Sequence, residues 1–567
     1  MKSMVNKSTA KKHLLSALII NAVFMAAVLL TLRPYYETMD DFILQQFIDG
    51  QLGMKSAHLL YVNIVLSEVL KLLYNILPMV PWYALMQYAI IFCALTGVTW
   101  VLLERMKNAP AILLSLMFLC VFGLDAYIRI QFSKTTALAT VGGLLLMYSA
   151  MDCDDWRVKY NPIMMCGIIL ALMGSMYRHR MFISVGFFMA LLVIDPLMHQ
   201  LRLKPDDLKE KLTQLVHIFS PFALLLALFA VLHMFDMSVY SVGEWKDYKD
   251  YNDARAAVMN YYVPPYEENE ELYGKLGIPE SFVKLMAEGE IFDPDLLNEE
   301  NLETIQELGT DSLRKLWLSS NDFVGECVRT LTASWCFAGL AIAALIWLVF
   351  GRHDLSAWLS IILSILLLLG FEIYFCSSGR VDFAQVNYCY VLAMTGVFLW
   401  YIPKKNGSAN VLCSAAIVLL CILFIGRSAL FGMDKFMEGS KDRSTEREIL
   451  SELSQEDYVM VADMGLYRLY RAYSPFETTQ QMGLWDNVIP LGGWQTNSPP
   501  ILKIMNRSEI GNPFRDIVDS STVCLVSDHA EEILDYIKDE YVPGAKLEKL
   551  RDLGEESGIA MYMIKTK

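Results

Sequence analysis

Eleven apolar stretches punctuate this chain, at 14–32, 82–103, 109–128, 135–151, 162–177, 181–198, 214–234, 331–350, 355–376, 386–402 and 409–430. Each is close to the ~20 residues that a helix needs to cross the hydrocarbon core of a bilayer. Backbone polar groups in lipid must be satisfied within the spanning segment, so such a chain folds as an α-helical polytopic membrane protein. Composition agrees, with 55% hydrophobic and 19% charged residues over 567 positions. The first stretch follows Lys2, Lys7, Lys11 and Lys12 and runs into Leu32-Arg33-Pro34 without a small-residue cleavage pattern. It reads as an uncleaved anchor with its N-terminus in the cytoplasm.

A further apolar segment, 57–77, carries Asn63, Ser67, Lys71 and Asn75 as a polar stripe and reads as an amphipathic helix in the membrane interface. Leaving it out of the span count puts Arg105, Lys107, Arg157, Lys159, the basic run 202–211, Arg352 and Lys404-Lys405 in the cytoplasm. That is the bias expected of short loops, and it places the C-terminus outside. Of the eleven cysteines, most lie in apolar stretches and none forms a C-x-x-C pair, so neither a disulfide scaffold nor a zinc site is indicated.

Two soluble pieces then face outward. The loop 235–328 holds 21 Asp and Glu against 7 Lys and Arg, nearly the whole net charge of −15. This acidity excludes nucleic acid as a partner. The aromatic opening and helical remainder predict a folded insertion rather than a disordered tail. The tail 432–567 alternates apolar β-like runs at 458–462, 522–526 and 559–564 with an amphipathic helix at 529–541, a small extracytoplasmic α/β domain. The expected organisation is thus a transmembrane module over 1–431, including a first outer loop at 34–81, followed by that domain.

Chemistry is best sought at Asp40-Asp41, which follow the first span and reach the outer surface. Two adjacent carboxylates can act as a general base and its partner, or hold a divalent cation such as Mg or Mn through hard oxygens. They can equally cap the helix that begins at Phe42. A second signal is cationic. Arg129 and Lys134 share one short outer loop, Arg178-His179-Arg180 form a tight outer turn, and Arg380 follows the ninth span. Short outer loops should be poor in such residues. A site for a lipid-linked phosphate or diphosphate explains the excess, because Arg offers a planar fork and Lys a point charge to phosphate oxygens. The alternative is pairing with Asp125, Glu372 and Asp382 or with ordinary headgroups.

With Asp40-Asp41-Phe42 followed by Gly50, His58, Tyr61, Asn63, Tyr74, Pro78 and Trp82-Tyr83, and with Asn252-x-x-Arg255 and Gly492-Gly493-Trp494 beyond, the chain resembles the GT-C glycosyltransferase superfamily, and within it GT-C-like multi-pass proteins of Gram-positive bacteria. The resemblance covers most of the chain as architecture, and its motifs concentrate in the first ~100 residues. It implies that Asp40 or Asp41 serves as base or metal ligand, that His58, His179 and Arg255 contact substrate, and that the donor is a polyprenyl-phosphate sugar. The expected reaction is inverting transfer to a cell-surface glycan or lipid-linked acceptor at a bacterial cell membrane. The family's further acidic motif is reduced here to Asp125, which leaves metal dependence open. Two other classes compete: a lipid-linked saccharide transporter or flippase, which would carry ionisable groups near the midplane, and a non-catalytic envelope scaffold of the same fold.

Overall fold

The computed structural model describes residues 7–151, 161–203, 208–259, 263–289, 291–319, 336–377, 384–402, 443–478, 485–553 and 558–566, with isolated positions between 325 and 332 and at 415 and 419. Six of its helices are long and apolar enough to cross a membrane: Ala10–Thr31, Trp82–Arg105, Ala109–Ile128, His179–His199, Leu212–Val239 and Leu355–Phe375. Three shorter apolar helices, Pro162–Tyr177, Phe337–Phe350 and Val386–Trp400, accompany them. The chain is a multi-pass membrane protein. The expected span 409–430 lies outside the described residues, except for isolated positions.

The helix Phe132–Met151 is buried along nearly its whole length and forms the middle of the bundle. Its packing against Pro162–Tyr177 depends on Gly143 and Gly167: a Cβ on either would stand 2.6 Å from the carbonyl oxygen of the other. Small residues of this kind let two membrane helices approach backbone to backbone. Large apolar side chains such as Leu30, Val231 and Leu366 project from the outside of the bundle, as a lipid-facing surface requires.

At one end of the bundle the first loop folds inward. Tyr35–Tyr36 (β1) pairs in parallel with Arg129–Ile130 (β2), in the register Tyr35↔Arg129 and Tyr36↔Ile130. The helix Met39–Asp49 follows and stops at Gly50, whose φ of 94° is readily available only to glycine. Next comes the expected amphipathic helix, observed at Ile64–Ile76 and capped by Asn63, whose side chain accepts from Val65 N–H at 3.1 Å. Its polar stripe is turned largely toward the protein, with Ser67 buried and Asn63 and Lys71 half-buried, while Val69, Leu72 and Ile76 are exposed. Apolar side chains pointing away from the protein suit an interfacial helix.

The acidic loop is folded, with helices Glu244–Met259, Glu270–Leu276, Glu280–Gly289 and Glu299–Ser319. The tail holds a five-stranded sheet of Val459–Ala462 (β3), Val488–Pro490 (β4), Val523–Ser527 (β5), Lys546–Asp552 (β6) and Ala560–Lys565 (β7), in the order β4-β3-β5-β7-β6. The first three strands are parallel, and β7 runs antiparallel to both its neighbours. The expected runs correspond to β3, β5 and β7, and the expected helix is Ala530–Glu540.

Loop, tail and bundle meet at that same end. Phe292 N–H donates to Leu491 O at 2.8 Å, and the buried Asp293 accepts from the hydroxyls of Tyr536 and Tyr541 at 2.7 and 2.5 Å and from Asn512 Nδ2 at 3.1 Å. Toward the bundle, Tyr470 Oη donates to Glu37 O at 2.8 Å and Gln45 Nε2 to Glu477 O at 2.7 Å. Phe42 inserts among Tyr470, Tyr473 and Trp485. At the opposite end, Arg105 donates to Trp400 O at 2.9 Å and Arg352 holds Asp195 through two nitrogens at 3.0 and 2.7 Å.

Candidate active site

Asp40 and Asp41 lie in the first turn of Met39–Asp49, yet neither caps it: Thr38 occupies the cap position, and the two carboxylates point elsewhere. Asp41 is sealed, with no exposed surface. It accepts from Tyr83 Oη at 3.0 Å, Gln87 Nε2 at 2.9 Å and Phe132 N–H at 3.2 Å. Burial pushes its carboxyl up to about 8; the bonds from Gln87 and Tyr83 oppose the rise, and the charge of Asp40 adds to it. Asp40 keeps partial exposure and accepts one bond, from Trp494 Nε1 to Oδ1 at 3.0 Å. Burial raises its pKa also, against the fields of Arg178 and Arg255 and the Trp494 bond. The pair is therefore asymmetric: Asp41 anchors the helix to the bundle, and Asp40 is presented.

Two guanidiniums flank Asp40. Arg178 lies against the rings of Tyr61 and Phe132, at 5.7 and 4.9 Å, and donates to Ser133 Oγ at 2.6 Å. Arg255 is buried over Phe292 at 5.1 Å and donates to Asn252 Oδ1 at 3.1 Å. Among the described residues neither forms an ion pair with a carboxylate. Uncompensated positive charge in a partly desolvated site favours an anion.

The other expected cations are placed differently. Arg129 grips Asp125 through Nε and Nη2 at 2.6 and 2.9 Å and reaches Glu37 at 3.4 Å. Lys134 bridges Glu37 and Asp125 at 2.7 and 2.8 Å. These four groups form an electrically balanced quartet beneath the first loop. Arg180 is exposed, and Arg380 lies outside the described residues. His179 faces His233, with ring centroids 4.6 Å apart, in a small surface pocket lined also by Tyr61, Asn63 and Asp236. Tyr61 joins this pocket to the Asp40 site, since its ring also packs edge-on against Trp494 at 5.5 Å. His58 stacks on Trp245 at 4.4 Å, and burial together with Lys71 lowers its pKa to about 4, so it serves there as a neutral ring.

The donors around the aspartate pair do not make a metal site. Three hydrogen bonds converge on Asp41, two guanidiniums lie by Asp40, and no third carboxylate or imidazole joins them with ligand spacing among the described residues. A group with ligand spacing occurs in the tail instead. The ligand atoms of Asp463, Asp528 and His529 lie within 4.8 Å of one another at the carboxyl ends of the adjacent parallel strands β3 and β5. His529 Nδ1 is 2.8 Å from Asp528 Oδ1, and Ser527 donates to Asp463. This group could hold a divalent cation. Its trace in the sequence is an acidic residue directly after each of two β-like runs, Asp463 and Asp528; nothing in the sequence links Trp494 to Asp40.

Fold and site together define a multi-pass membrane protein that presents one carboxylate within the fields of two guanidiniums, neither of which pairs with a carboxylate among the described residues, where the tail domain meets the bundle. No protein-family model matches the chain, and no curated protein matches it. Among solved structures it is similar to the Archaeoglobus fulgidus oligosaccharyltransferase in complex with Zn and sulfate, at 10% identity and TM-score 0.43 over 97% of this chain and 73% of that one. It is similar also to ArnT from Cupriavidus metallidurans, in the apo state at 10% identity and TM-score 0.36, covering 97% of this chain and 96% of that one. For ArnT bound to undecaprenyl phosphate the values are 11%, 0.35, 98% and 98%.

Proposed function

We propose that the protein is an inverting membrane glycosyltransferase of GT-C type that moves a sugar from a polyprenyl-phosphate donor to a cell-surface glycan or lipid-linked acceptor on the outer face. The observation that carries this reading is the partly exposed Asp40 within the fields of Arg178 and Arg255, two cations without an ion-pair partner among the described residues. The sequence resemblance points the same way.

In this mechanism Asp40 takes the proton of the acceptor hydroxyl as its oxygen attacks the anomeric carbon. The bond from that carbon to the phosphate oxygen breaks on the opposite face, and the lipid phosphate departs with the electron pair. Arg178 and Arg255 stabilise the charge that grows on it, usually a large catalytic contribution. Asp41 fixes the position of Asp40 from beneath. No step needs a metal at this pair, and a cation at Asp463, Asp528 and His529 would belong to the tail domain.

The test uses purified protein in nanodiscs with a panel of undecaprenyl-phosphate sugars, following release of undecaprenyl phosphate in the presence of envelope glycan. Wild type is expected to turn over at least one donor and Asp40→Asn none, while both insert and fold. Equal turnover by the two would refute the assignment.

A further inference from the structure

Trp494 is fixed from several directions at once. Its indole N–H donates to Asp40 Oδ1 at 3.0 Å, across 454 positions of sequence. Its carbonyl accepts from Tyr248 Oη at 2.5 Å. Its ring stacks on Phe47 at 5.3 Å and meets Tyr61 edge-on. Just before it, Gly493 takes a φ of 81°, a conformation that costs a residue with a side chain and that turns the chain out of β4. The end of that strand is held on both sides, by Leu491 N–H to Ala462 O and by Phe292 N–H to Leu491 O, each at 2.8 Å. Three parts of the chain, namely first loop, acidic loop and tail, thus converge on one indole.

Resting on the reaction proposed above, we propose that Trp494 is its positioning residue: the indole holds Oδ1 of Asp40, leaves Oδ2 to take the acceptor proton, and makes the tail domain part of the active site. Among the described residues Oδ2 of Asp40 accepts no hydrogen bond. The other charged and titratable groups that face Asp40 come from every side: Asp41 in its own helix, Tyr61 from the loop behind it, Arg178 from the turn between two spans, Arg255 from the acidic loop and Tyr470 from the tail. Trp494 alone of these is shown in direct hydrogen bond to the Asp40 carboxylate. A donor to the ionised form favours that form, so its loss makes the carboxyl harder to ionise.

Two measurements on the full-length protein test this. In the first, the eleven tryptophans are replaced by 5-fluorotryptophan, and the resonance missing from Trp494→Phe is followed by fluorine NMR as pH is varied. It should titrate in the wild type and be flat in Asp40→Asn. A flat wild-type resonance, or the same titration in Asp40→Asn, overturns the proposal. In the second, the pH–rate profile of Trp494→Phe should have its acid limb about one to two pH units higher, the scale of one hydrogen bond to a charged group, with KM for the donor unchanged. An unmoved limb with unmoved kcat overturns the proposal as well. If Trp494→Phe does not fold, Tyr248→Phe, which frees the Trp494 carbonyl, replaces it: a smaller shift in the same direction supports the proposal and no shift overturns it. Turnover retained in Asp40→Asn would instead sink the assignment of Asp40 as the base, on which this proposal rests, and leave the indole–carboxylate contact standing.

Discussion

Lys134 lies between Glu37 and Asp125, 2.7 Å from one carboxylate and 2.8 Å from the other, with 1% of its surface exposed. One ammonium therefore ties the first loop to the end of a span. Arg129 completes the balance of charge, so removal of Lys134 leaves a buried carboxylate without its cation.

Lys134→Ala should accordingly destabilise the protein by about 3 to 5 kcal/mol, the cost of breaking a buried ion pair from one side. Thermal unfolding in detergent would show it as a lowered midpoint. A role in donor binding predicts a different result, with the midpoint kept and affinity for undecaprenyl phosphate lost.

Arg178→Ala and Arg255→Ala should each weaken undecaprenyl-phosphate binding by about 1.5 to 3 kcal/mol, the scale of a hydrogen bond to a charged group. Arg180→Ala should change it little, because that side chain is exposed. Titration of the three variants decides the matter, and equal losses in all three would mean that binding depends on overall charge and not on this site.

Asp41 gives stability an unusual pH dependence. Its carboxyl ionises near 3.8 in the unfolded chain and near about 8 in the folded one. Between those values the folded state holds a proton that the unfolded state has released, so stability falls as pH rises through this window and levels off above it. The full effect is on the order of 5 kcal/mol. Unfolding midpoints measured from pH 5 to 9 should decline for the wild type and decline less for Asp41→Asn. Parallel curves would show that Asp41 does not carry the dependence.

The clasp between acidic loop and tail centres on Asp293, and Asp293→Ala would leave the hydroxyls of Tyr536 and Tyr541 short of their acceptor, while Asn512 keeps Asp295 at 2.7 Å. Each unsatisfied buried group costs about 1 to 3 kcal/mol. Limited proteolysis between residues 260 and 290 should quicken in this variant. An unchanged digestion pattern would mean that the loop docks through its other contacts.

Much of this architecture was legible locally. Apolar runs of bilayer length marked membrane-length helices, the stripe from Asn63 to Asn75 marked the amphipathic helix, and runs such as Thr522-Val-Cys-Leu-Val526 marked strands, because each is a periodicity within one segment. What escaped is non-local or faint. β4 has three residues and ends in proline, and β6 reads Lys-Leu-Glu-Lys-Leu-Arg-Asp, an exposed edge strand whose charges mask its alternation. The aspartate pair was visible, but its division into a sealed Asp41 and a presented Asp40 depends on Tyr83, Gln87 and Trp494, which no spacing rule links to it. Likewise the basic excess in short loops identified Arg129 and Lys134 together with Arg178, and only the fold separates the two that meet carboxylates from the one that does not.

The pairing of Tyr35–Tyr36 with Arg129–Ile130 has a mechanical consequence. The helix carrying Asp40 and Asp41 follows a strand hydrogen-bonded to the end of a span, and the next residue after that span's strand but one, Phe132, donates its amide to Asp41. Spans tilt when hydrocarbon thickness departs from their own length. A tilt of Ala109–Ile128 would bear on the aspartate helix through β2 and β1, whereas Trp494 reaches Asp40 from the tail domain. The Asp40–Trp494 contact thus joins a helix fastened to the bundle to a residue of the tail, and a movement of one against the other would register there first.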